Sequence, residues 1–131
     1  MAKVNWRELL GWNKEQLEEL RFSGFTFLRE GKYEKALLFF KTLVLLDPES
    51  AYDAQTLGAL YLQMGDGERA LEALNASLEI EPDHEPTLLN KVKTLLLLQR
   101  REEAFSIARQ LQKSADLTIS GDASALILAY S

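Results

Sequence analysis

The stretch from Arg29 to Ser50, "REGKYEKALLFFKTLVLLDPES", sets Gly31, Tyr33, Ala36 and Pro48 along an apolar run that stops at Asp47-Pro48. From Tyr33 to Leu46 the residues predict a helix. It has to end before Pro48, because proline lacks an N–H and its ring clashes with the preceding turn. Gly31 offers the conformational freedom that a tight turn into this helix requires. The spacing recurs with a period of 34 residues: Gly24/Gly58, Gly31/Gly65, Ala36/Ala70/Ala104 and Pro48/Pro82 all keep it.

Each period contains two helical patterns. Leu17, Leu20, Gly24, Phe27 and Leu28 recur at three and four residues, which makes one helix face apolar. Small residues at 24, 36, 58 and 70 let backbones approach, while Phe and Leu fill the space between pairs. The pattern predicts helices over 17–30, 33–46, 51–64, 67–80, 85–98 and 101–114, with no strand. The fold class expected is all-α.

A 34-residue unit of two helices resembles the tetratricopeptide repeat (TPR). The family's small residue in the first helix matches Gly24 and Gly58, its aromatic three places on Phe27 and Tyr61, and its turn residue Gly31 and Gly65. Its small residue in the second helix matches Ala36, Ala70 and Ala104, and its closing proline Pro48 and Pro82. The units read 17–50, 51–84 and 85–118, flanked by an N-terminal helix in 1–16 and a C-terminal capping helix in 119–131. The third unit departs from the pattern, with Val92, Leu95, Gln99 and Asp116 at the small, aromatic, Gly and Pro positions. An end repeat has one neighbour only, which permits such departures. The resemblance implies one domain, a right-handed superhelical stack of three helix pairs.

Composition narrows the function. With 131 residues, 47% of them hydrophobic, the chain suffices for one continuous core. Its formal charge is −5, with acidic residues spread over helix surfaces, which argues against nucleic acid and anionic membrane as partners. There is no cysteine, so disulfide and thiolate chemistry are excluded and a cytoplasmic setting is expected. "NWRELLGWNKEQ" has no long apolar segment of a leader, and the runs "LLLL" and "ALIL" are far shorter than a membrane span.

No constellation of catalytic residues emerges, and no enzyme, cofactor or metal is expected. His84 is the single histidine, in "EPDHEP" between the second and third units, so a zinc site or a Ser-His-Asp arrangement lacks partners. "MGDGERA" lacks the alternating carboxylates of a calcium loop and reads as a turn with a helix start. None of the glycines follows a strand, as a phosphate loop requires. "NAS" at Asn75 to Ser77 matches a glycosylation sequon but falls within a predicted helix.

The surface that stacked repeats create is the informative feature, because extended concave faces of this kind bind other chains. The TPR frame puts Glu18, Arg21, Phe25, Leu28 and Arg29 of the first unit in the groove. Tyr52, Gln55, Ala59, Leu62 and Gln63 follow from the second, and Pro86, Leu89, Lys93, Leu96 and Leu97 from the third. Phe25, Tyr52 and Leu89 are the expected apolar anchors, with Arg21, Arg29 and Lys93 ready for an acidic neighbour. TPR co-chaperones that hold the C-terminal carboxylate of heat-shock chaperones use Lys, Arg and Asn at fixed groove positions. Arg21, Phe25, Thr56, Pro86 and Asn90 stand at those positions here, so only Arg21 brings the required charge.

The N-terminal flank offers Trp6, Leu9, Leu10 and Trp12, to cap the first repeat or to pair with another chain as a homodimer or heterodimer. The C-terminal flank "ISGDASALILAY" restarts a helix near Ser120 to Asp122 and would shield the last pair. Three repeats between two flanking helices, with an apolar groove and an acidic balance, look like the TPR-class chaperones of bacterial type III secretion. That resemblance implies a groove that buries an extended or helical apolar segment of a translocator or needle subunit in the cytoplasm. The alternative is a general TPR scaffold in a larger assembly.

Overall fold

The computed structural model describes residues 4–131 and contains eight helices and no strand among them. The N-terminal helix expected within 1–16 therefore falls partly outside the described residues. The helices are α1 (Trp6–Leu9), α2 (Lys14–Arg29), α3 (Tyr33–Leu46), α4 (Ala51–Gln63), α5 (Gly67–Ile80), α6 (Glu85–Leu97), α7 (Arg101–Leu111) and α8 (Leu117–Tyr130). Pairs α2/α3, α4/α5 and α6/α7 stack in order, and α8 packs on the last pair.

Local chemistry sets the helix boundaries. Asn13 and Gln16 form a reciprocal capping box, N–H to side chain at 2.8 and 2.9 Å, so α2 starts three residues before the repeat frame does. Ser50 and Asp66 cap α4 and α5 by accepting from the N–H groups of Asp53 and Arg69. Gly31 and Gly65 close the turns within the first two pairs at φ of +75° and +79°. In the third pair the same place is taken by Gln99, at φ +61°, a conformation costly for a residue with a Cβ. The backbone keeps the turn although the glycine is gone.

Small residues sit where helices cross. A Cβ on Gly58 would lie 2.6 Å from Leu74 Cγ, and one on Gly24 would lie 3.0 Å from both Phe39 Cβ and Phe40 Cε2. Ala36, Ala70 and Ala104 are fully buried. Burial gathers into two clusters that meet at α5. Ala70 and Ala73 belong to the first, with Leu17, Phe40, Leu43 and Leu60; Leu71 belongs to the second, with Val92, Leu95, Leu111 and Ile119.

The flanks depart from expectation in detail. Trp12 packs against the first cluster and Arg7 Nε donates to its carbonyl, but Trp6, Leu9 and Leu10 remain exposed. A four-residue helix is too short to turn all its apolar side chains inward, so only Trp12 acts as a cap. At the other end, α7 stops at Leu111, earlier than 114. The cap of α8 is Asp116, which accepts from the N–H groups of Thr118 and Ile119 at 2.9 and 3.3 Å, in place of the expected Ser120–Asp122 start. Ser114 locks this connection by donating to Glu85 at 2.7 Å and accepting from the Asp116 N–H. His84 stands at the start of α6, its Nδ1 2.7 Å from the Thr87 hydroxyl, and Asn75 lies inside α5. No group of three metal-ligating side chains occurs among the described residues.

Candidate functional site: the face of the first helices

The face formed by α2, α4 and α6 carries the expected groove residues, and the two ends of that face differ. Toward α2, an open cleft of about 260 Å³ is lined by Glu18, Arg21, Phe22, Phe25 and Tyr52. Phe25 is 38% exposed and Tyr52 46%, so both rings stand open to a partner. The Arg29 guanidinium lies over the Phe25 ring, 5.8 Å from its centroid, and leaves most of that ring uncovered. Leu28 and Leu62 are half-buried and pack against the first core cluster, while Gln55 and Ala59 are half-buried and Lys93 is exposed.

One expected anchor, Leu89, and one expected groove residue, Leu96, are corrected. Leu89 and Leu96 are buried in the second core cluster together with Ile119 and Ala123 of α8. Because α8 packs on α6 as well as on α7, it covers leucines that the frame alone assigns to the groove. Leu97, the next residue, is left on the surface. With Leu96, Gln99, Arg101, Glu102 and Tyr130 it lines an open cleft of about 700 Å³ beside the end of α8.

Arg21 is also corrected. Its Nε and Nη2 donate to the two carboxylate oxygens of Asp53 at 2.7 and 2.6 Å, and it further meets Glu18 and Asp47 at 2.5 and 3.2 Å. Asp53 is fully buried. The hydrogen bonds to Asp53 hold the Arg21 guanidinium above its ordinary value, against the opposing effect of burial. Four of its five N–H donors are engaged by carboxylates of the protein, so this arginine ties α2 to α4 and is not a free cation for a ligand. The carboxylate clamp thereby loses the one charge the sequence offered it.

Phe22 lines the cleft of Phe25 and Tyr52 too, although the repeat frame does not assign it to the groove. It is 72% exposed and lies one turn before Phe25, lining the same cleft and a second opening with Glu18, Glu19 and Ser23. The signal was present: Phe22 falls outside the apolar stripe of Leu17, Leu20, Gly24, Phe27 and Leu28, and a large aromatic off the core face has no packing role there.

A family model described as tetratricopeptide repeat matches residues 24–112. Among solved structures, the type III secretion translocator chaperone SycD of Yersinia enterocolitica superimposes with a TM-score of 0.81 at 22% identity, over 98% of this chain and 99% of that one. PcrH in complex with the chaperone binding region of PopD gives 0.80 at 26% identity, over 92% and 94%. In sequence, the BBSome complex member BBS4 of Bos taurus is 36% identical over 66 residues, which is 50% of this chain but only 13% of that protein.

Proposed function

The chain belongs to the tetratricopeptide repeat family, and from that membership we propose that it is a non-enzymatic binding module which buries an apolar segment of a partner protein against α2 and α4. The observation that carries this reading is the cluster of Phe22, Phe25 and Tyr52, three aromatic side chains exposed on one cleft that the fold does not need there. Aromatic anchors in a concave site supply large contact area at small entropy cost. Among the described residues no helix is long and apolar enough to cross a membrane.

The partner we propose is a type III secretion substrate, held in the cytoplasm before export. The near end-to-end match with SycD, a translocator chaperone, and with PcrH, bound to the chaperone binding region of PopD, supports this. Burial in the groove would keep an aggregation-prone segment from pairing with other chains. The exposed Trp6, Leu9 and Leu10 suit the pairing of this chain with another through its N-terminal helix. A general scaffold within a larger assembly is the second reading, favoured by the 66-residue stretch shared with a member of the BBSome.

Co-purification of the chain from its native source, with mass identification of whatever is bound, tests the choice. A bound translocator or needle subunit, lost with Phe25→Ala and Tyr52→Ala while helicity is kept, is the expected result. Retention of the partner by both folded variants would remove the cleft from the binding surface, and stoichiometric recovery inside a large assembly would favour the scaffold.

A further inference from the structure

The opposite face of the stack holds a cleft that the groove reading does not use. No Cα of α3 comes within 8 Å of one in α5, so α4 shows through between them. The resulting opening, about 340 Å³, is floored by Leu57 and Tyr61 of α4. Val44 forms one wall, Ala73 and Ala76 the other, and Lys41, Arg69 and Glu72 stand on the rim. Leu38 and Leu45 are exposed on α3 at three before and four after Lys41, which extends the apolar surface along the same helix face.

Tyr61 gives this cleft its chemistry. The residue is 9% exposed, and its hydroxyl has no hydrogen-bond partner among the described residues. Among the described residues no buried side-chain oxygen or nitrogen is left unsatisfied, so this hydroxyl is open to water, and Tyr61 lines the cleft. A donor therefore sits at the base, with one cation on each lip. Lys41 makes no ion pair among the described residues. Arg69 pairs with Asp66 through one terminal nitrogen at 2.9 Å, an exposed contact that solvent screens, and the other N–H groups of its guanidinium are uncommitted among the described residues. Glu72 lies one turn after Arg69 on the α5 lip, where it would repel an acid that bound too far along that helix.

We propose that this outer cleft is a second docking site, for an acidic amphipathic helix of a protein partner. Its apolar side chains would rest on Leu38, Val44 and Leu45, and one carboxylate would reach the Tyr61 hydroxyl between Lys41 and Arg69. A helix fits because the opening runs between two helices and one wall is built of alanines, which admits close approach. Lys41 and Arg69 outnumber Glu72 on the rim, so a basic helix of the same shape meets two like charges against one opposite charge.

The test uses the full chain labelled with ¹⁵N and a synthetic peptide about four turns long, with leucines at helical spacing flanked by glutamates. The expected result is a set of amide shifts in α3 and α5, with binding weakened about tenfold by Lys41→Glu combined with Arg69→Gln, and a few-fold by Tyr61→Phe. The same peptide with lysines in place of glutamates should not bind. Phe25→Ala combined with Tyr52→Ala should leave the interaction intact, which separates this site from the groove. Shifts confined to α2 and α4, equal binding of the lysine peptide, or no shifts at millimolar peptide would overturn the proposal.

Discussion

The α2/α4 junction and the α4/α6/α8 junctions occupy equivalent places in the repeat and are built differently. No Cα of α2 comes within 8 Å of one in α4, whereas α6 packs directly on both α4 and α8. At the first junction a bidentate ion pair, Arg21 to Asp53, spans the gap, and aromatic side chains stand open beside it. At the later junctions apolar contact closes the space and takes Leu89 and Leu96 into the core. A repeat position thus specifies which way a side chain points, while the neighbouring helix decides whether anything remains for a partner to touch.

Cutting the ion pair should break the first junction most severely. Arg21→Ala leaves the fully buried Asp53 without its partner, a loss expected to cost about 3 to 5 kcal/mol and readable as a drop in denaturant midpoint. Replacing both residues with leucine should recover most of that, because the penalty comes from the orphaned charge. If Arg21→Ala melts like the parent, the pair does not hold the junction.

The two kinds of junction should also respond oppositely to truncation of apolar side chains. Leu89→Ala is expected to cost about 2 to 5 kcal/mol of stability, as a cavity in the second core. Phe25→Ala, from the open cleft, should change stability by no more than about 0.5 kcal/mol and weaken partner binding by about 2 kcal/mol. Equal loss of stability in both variants, measured by thermal melting, would erase the distinction.

Smaller effects sharpen the comparison. Gly58→Ala places a methyl 2.6 Å from Leu74 Cγ and 3.2 Å from the Leu74 backbone nitrogen, so it should cost about 1 to 3 kcal/mol. Gln99→Gly should stabilise the third pair by up to about 1 kcal/mol, by relieving a left-handed residue that carries a Cβ. The smallest effect is one of pH. Hydrogen bonds from Arg69 and Arg100 hold the Asp66 and Glu103 carboxyls below their ordinary values. Their contribution is therefore present above the ordinary carboxylate range and is lost as pH falls through the lowered values. Melting below pH 4 should be less sensitive to pH in an Asp66→Asn, Glu103→Gln variant.

Helix bounds were legible in the sequence because glycine, proline and capping side chains act within a few residues of themselves. For α3 and α5 the expected ranges, 33–46 and 67–80, coincide with those found. The early end of α7 was not, because it depends on Ser114 meeting Glu85, 29 residues away. Arg21 looked like a groove cation for the same kind of reason. Its partner Asp53 reads locally as an ordinary acid in the first turn of α4, and only the stacking of the two pairs brings them together. Burial of Leu89 and Leu96 needed the placement of α8, which the apolar flank announced without its register. Phe22 was readable from its position off the core stripe.

In mechanical terms the stack is a series of springs, and the extension of such a series is dominated by its most compliant joint. The face of the first helices has closely packed joints from α4 onward and one joint, α2 to α4, where two parallel hydrogen bonds make the direct polar bridge and the apolar linkage runs through the core shared with α3. A segment drawn into the cleft would therefore be accommodated by a small change of angle at α2, with the remainder of the molecule turning as a rigid body. Pulling on such a segment would load the Arg21–Asp53 link first, which makes that link the fuse of the assembly.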